Sequence, residues 1–146
     1  MLMLLSLACG NGAGGDAEVE ALTQTVQDEL DAGYEGWGQL ADFEGIVESE
    51  SVHGSHVQMW FNDDALGTIE AAAGEDLPAG SMIVKQGYND ADGTDLGNLT
   101  VMYKDADFGW FWYSESADGE VLEAGDVDMC SGCHSAGQDM VLVTTW

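Results

Sequence analysis

Two lysines, no arginine and 28 aspartates and glutamates give this 146-residue chain a formal charge of -26, so it folds only if apolar burial outweighs repulsion among its carboxylates. The composition supplies that burial. Apolar residues make up 45% of the chain and aromatics 9%, enough for one packed core and too little chain for two. The same imbalance excludes functions that need a basic surface: nucleic-acid phosphates and anionic lipid headgroups are repelled. A basic protein partner is instead steered in, at a rate that falls as salt rises. Screening over roughly 10 Å or less suits such a surface to an exported protein in a salty medium.

The N-terminus reads as an export signal. Met1 to Ala8 (MLMLLSLA) is apolar but far short of the ~20 residues that a bilayer-spanning helix needs. It leads into Cys9 and then the small, flexible NGAGGDA, the layout of a bacterial lipoprotein signal whose Cys is acylated. The expected division is a signal over 1–9, a linker over 10–16 and one domain over 17–146. Localisation is then periplasmic or outer-membrane-anchored, with the lipid on Cys9 as the only hold on a membrane.

Within the domain, Val19, Leu22, Val26 and Leu30 recur at spacings of three and four, predicting an amphipathic helix from Ala17 to Ala32 with Asp16 as N-cap and Gly33 as stop. HVQMWFN (His56–Asn62) predicts a strand, Asn62 an N-cap, and Ala65–Ala73 a second helix. After the Leu77–Gly80 turn, SMIVKQGY, LTVMYK and WFWYSE are three β-rich runs divided by Gly- and Asp-rich connections. The expectation is an α+β fold, mainly an antiparallel sheet with a few helices. The acidic run Asn89–Asn98 lacks the Gly and terminal Glu spacing of an EF-hand and reads as a plain loop.

The chemistry-bearing motif is Cys130-Ser131-Gly132-Cys133-His134. In C-x-x-C-H, two thiols add across the haem vinyl groups and the adjacent His lies beneath the iron as proximal ligand. A disulfide or redox C-x-x-C needs no following His, and half a zinc site would want two further ligands. One covalent c-type haem, with His134 on the iron, is the expected cofactor. Met140, the only Met after His134, is six residues away, too short a tether to cross to the far face of the ring, and serves as apolar filler. An iron without a strong sixth ligand is open to small molecules.

HGSHVQMWFNDDA, LPAGSMIVKQGY, GWFWY and CSGCH followed by DMV, in that order over about residues 50–143, resemble the cytochrome P-460 family, whose relatives include the beta-type cytochromes c prime. The resemblance implies a mainly antiparallel sheet packing one covalent haem, and Lys85 matches the family's position for a lysine bonded to the porphyrin rim. Members with that bond oxidise hydroxylamine; members without it bind nitric oxide or carbon monoxide. Lys85 is equally read as the partner of a haem propionate or as an exposed strand lysine. Asp139 matches the Asp of the family's D-M-V segment, as a brace after the haem or as a proton acceptor, with His53 and His56 as upstream candidates. Trp60, Trp110, Phe111, Trp112 and Tyr113 are expected to pack haem and sheet. A plain electron carrier is the remaining reading. A cationic redox protein such as a small cytochrome, and a second copy of the chain in a homodimer, are candidate partners.

Overall fold

The computed structural model describes residues 13–143. Cys9 and the signal over 1–9 lie outside the described residues. The fold is α+β, a six-stranded antiparallel sheet with three helices. In chain order the elements are α1 (Ala13–Gly33), β1 (Val47–Glu48), β2 (His56–Phe61), α2 (Asp63–Ala71), β3 (Met82–Tyr88), β4 (Leu96–Asp105), β5 (Gly109–Glu115), β6 (Val121–Gly125) and α3 (Asp128–His134). Strand order in the sheet equals chain order, so every pairing joins sequence neighbours. Among the described residues, no helix is long and apolar enough to cross a membrane.

Alternation along the strands sorts the sheet into two covered faces. Trp60, Met82, Val84, Leu99, Val101, Phe111 and Tyr113 face α1, where they bury Leu22 and Val26. Met59, Phe61, Ile83, Met102 and Trp112 face the other way and pack with Ala65 and Ile69 of α2, Leu77, and Val141 of the C-terminal segment. Covering both faces explains why the strands read as nearly unbroken apolar runs rather than strict alternation. Each such side chain buried contributes about 1.5–3 kcal/mol, which offsets the carboxylate repulsion.

The local signals mostly land where the residue chemistry puts them. Gly33 ends α1 with φ 103, in the left-handed region open to glycine. Asn62 caps α2: its Oδ1 accepts from Ala65 N (3.2 Å) and Met82 N (3.0 Å), while its Nδ2 donates to the Gly80 carbonyl (2.8 Å). Three expectations are corrected. The helix α1 starts at Ala13 rather than Ala17, so the second half of the expected linker is helical and Asp16 lies inside the first turn, where its charge complements the positive end of the helix dipole, instead of capping it. Helix α2 covers Asp63–Ala71, slightly earlier than expected, because Asn62 caps it directly. The connection after β3 is shorter than expected, with β4 opening at Leu96 because Asn89 and Asp95 close the turn through backbone and side-chain bonds.

Candidate cofactor site

Helix α3 carries Cys130, Cys133 and His134. A spacing of three residues puts the two sulfurs on one helix face. Both thiols are free, Cys130 half-buried and Cys133 exposed. Burial, then the nearby Glu123, pushes the Cys130 thiol above its ordinary range. Directly after the helix the chain turns back through Asp139 and Met140, at φ 43 and 66. That left-handed pair places the Met140 carbonyl 2.8 Å from His134 Nδ1. A carbonyl only accepts, so Nδ1 carries the proton and the Nε2 lone pair is left for a metal. Burial lowers the His134 pKa; the Met140 contact opposes this, and the nearby Lys85 adds to it.

These three residues line a cavity of about 420 Å³ whose remaining walls are mostly apolar, including Met59, Ile83, Met102, Trp112 and Val141. Its volume is in the range of cofactor and ligand pockets. Trp112 sits edge-on to His134, ring centres 4.9 Å apart. Lys85 of β3 and His53 enter the same cavity. The Lys85 side chain makes no hydrogen bond or ion pair among the described residues, and burial drives its pKa below the usual lysine value against an opposing contribution from Cys133. Burial, followed by Lys85 and His134, lowers His53 to about 4. Three nitrogen bases therefore share one poorly hydrated space, in which burial lowers the pKa of each.

His53 reaches this space because two glycines let its turn lie flat on the sheet. A Cβ on Gly87 would meet the His53 carbonyl oxygen at 1.8 Å, and one on Gly54, at φ 135, would meet the Tyr88 carbonyl oxygen at 2.9 Å. Gly87 also sits where the pairing of β3 with β4 shifts register. Gly87→Ala is expected to destabilise the protein by about 2–3 kcal/mol, because rigid backbone has to give way. A urea titration checks this, and a loss below about 1 kcal/mol would show that the turn is free to lift away.

Other candidates are placed elsewhere. His56 opens β2 and bonds through Nδ1 to Ser55 (3.1 Å), outside the cavity. Asp139 does not line the cavity: its carboxylate accepts from Leu77 N (2.7 Å), Lys104 Nζ (2.7 Å) and Trp110 Nε1 (3.1 Å), which makes it a brace. Met140 acts through its carbonyl. Trp60 and Phe111 pack the α1 face rather than the cavity, since strand alternation turns them away from it, whereas Tyr113 packs in the α1-side cluster and also borders the cavity. Residues not singled out from sequence are Thr100 on β4 and Leu122 on β6, which line the cavity with Met59 and Ile83. Period-two alternation from Lys85 points to Ile83, but only strand register brings Thr100 opposite Lys85. Among the described residues, no group of three or more His, Cys, Asp or Glu side chains is assembled that could hold a metal ion. No protein-family model matches the chain, and no curated protein matches it either.

Proposed function

We propose that this protein is an exported, lipid-anchored c-type haem protein that handles a small nitrogenous ligand, hydroxylamine or nitric oxide, at its iron. The observation that carries the reading is the convergence of Cys130, Cys133 and His134 from one short helix into an apolar cavity. The donor set fits haem c. Two free thiols on one helix face would form the thioethers, and an imidazole with Nδ1 bonded to Met140 would offer Nε2 to the iron. The bound group would supply ligand binding and electron transfer at iron.

The chain's own residues do the rest. Met140 fixes the tautomer and rotation of His134, the apolar walls limit water, and Trp112 buttresses the proximal imidazole. Lys85 decides between the two activities. An amine whose pKa burial lowers, with no ion-pair partner among the described residues, suits a nitrogen bonded to the porphyrin rim better than an exposed lysine, and this favours the hydroxylamine-oxidising reading.

Expression with haem-maturation machinery, followed by intact and peptide mass analysis, tests this. The expected result is a chain heavier by one haem, a Lys85 peptide joined to it, and a strongly red-shifted Soret band in the ferrous state. An ordinary c-type spectrum with a free Lys85 peptide would remove the oxidase reading and leave a nitric oxide or carbon monoxide binder. A chain without haem would remove both.

A further inference from the structure

We propose that His53 is the sixth ligand of the iron at rest, forming with His134 a bis-imidazole site that a small molecule enters by displacing it. The inference rests on the haem reading above and narrows it, since the iron is open only when His53 is off.

The ring centres of His53 and His134 lie 6.2 Å apart, with planes at 75°. Two imidazoles on one iron have iron–nitrogen bonds of about 2 Å, and each ring centre lies about 1 Å beyond its nitrogen, so their centres fall about 6 Å apart. Each ring turns about its own bond, so the angle between the planes is free. Two side chains in simple edge contact also span this distance, and the hydrogen bonds separate the cases.

Thr100 Oγ1 lies 3.4 Å from the Lys85 carbonyl and 3.5 Å from His53 Nδ1. With its one hydrogen given to the carbonyl, the hydroxyl faces Nδ1 as an acceptor. Nδ1 then holds the proton, and the Nε2 lone pair of His53 has no hydrogen-bond partner among the described residues. His134 is arranged alike, with Nδ1 bonded to Met140. Metal-binding histidines have this pattern, one nitrogen oriented by a protein acceptor and the other left to the metal.

Placement adds a third argument. Gly87 and Gly54 accept close backbone contacts that hold the His53 turn on the sheet beside Lys85 and Thr100, whereas the adjacent Val52 is 94% exposed. The chain thus spends two glycines to seat a histidine in an apolar cavity where it ion-pairs with none of the described residues. Coordination needs no proton or electron: the Nε2 lone pair enters a vacant iron orbital and leaves it when another ligand binds.

The test compares the full mature protein with His53→Ala by optical and electron paramagnetic resonance spectra of the ferric state and by carbon monoxide association to the ferrous state. The wild type is expected to be low-spin, His53→Ala high-spin, and added free imidazole is expected to restore the low-spin spectrum. Carbon monoxide should bind the variant at least about tenfold faster, because only the fraction of wild type with His53 detached is competent. A haem-loaded wild type that is high-spin would overturn the proposal, and so would a low-spin signal that survives His53→Ala, which would point to Lys85. His53→Gln carries the same comparison if His53→Ala does not mature. An alkaline pyridine spectrum showing no haem in the wild type would overturn the haem reading, and this inference with it.

Discussion

Replacing Cys130 and Cys133 together with Ser is expected to leave no pigment on the chain after denaturing electrophoresis, while either replacement alone is expected to leave a band that still stains for haem. On the haem reading each sulfur would make its own thioether bond, so one would be enough to keep the group attached under denaturing conditions. Because the two thiols are free and three residues apart on α3, the variant removes little packing: Cys133 is exposed, and Cys130, only half-buried, packs against the core cluster from outside. The effect is all or none. Thiol titration of the denatured wild type supplies the control. With both sulfurs in thioethers, no thiol from this pair reacts before or after reduction. A disulfide would instead release two thiols on reduction, and a colourless wild type behaving that way would replace the haem reading with the redox one.

What the residues disclose and what they conceal divides along one line. Features set by neighbours in the chain are readable: the Asn62 cap, the Gly33 stop, the β-rich runs and the C-x-x-C-H spacing each depend on a few consecutive residues. Features set by register are not. The strand β1 is only Val47 and Glu48, recognisable as strand because they pair with Val57 and His56. The strand β6 (VLEAG) has an exposed start and ends in glycine, and it exists because β5 offers it an edge. The site shows the same division. His134 announces itself beside two cysteines, but His53 becomes a cavity residue because Gly87 and the position of Thr100 on β4, as well as the adjacent Gly54, let it. Nothing within several residues of His53 records Gly87 or Thr100. Asp139 is the extreme case, since its three partners are 62, 35 and 29 residues away.

That separation makes Asp139 the position where one substitution should do most damage to the folded state. Asp139→Ala is expected to cost about 3–5 kcal/mol, the usual consequence of removing one member of a buried ion pair, and to lower the melting temperature by roughly 10–20 °C. The pair is well shielded: the Lys104 and Asp139 side chains are 19% and 11% exposed. Lys104 also lies over the Trp110 ring, 5.4 Å from its centre, so an unpaired ammonium has nowhere better to go without undoing that contact. Asp139→Asn keeps the shape and some acceptor capacity, and should cost about 1–3 kcal/mol. Adding Lys104→Met to Asp139→Ala removes the stranded charge and should recover part of the loss, giving a coupling of at least about 1 kcal/mol in a double-mutant cycle read by urea unfolding. Additive losses would mean that the two charges act independently, each mainly with water. The consequence then reaches the cavity that holds His134. Asp139 and Met140 hold left-handed backbone that ordinary residues adopt at a cost of about 1–3 kcal/mol each, and the three bonds to the Asp139 carboxylate hold them there. When the brace goes, that backbone relaxes and the Met140 carbonyl leaves His134 Nδ1. In the haem-loaded protein, Asp139→Ala should therefore also shift the ferrous spectrum and reduction potential, and Lys104→Met should restore stability without restoring either.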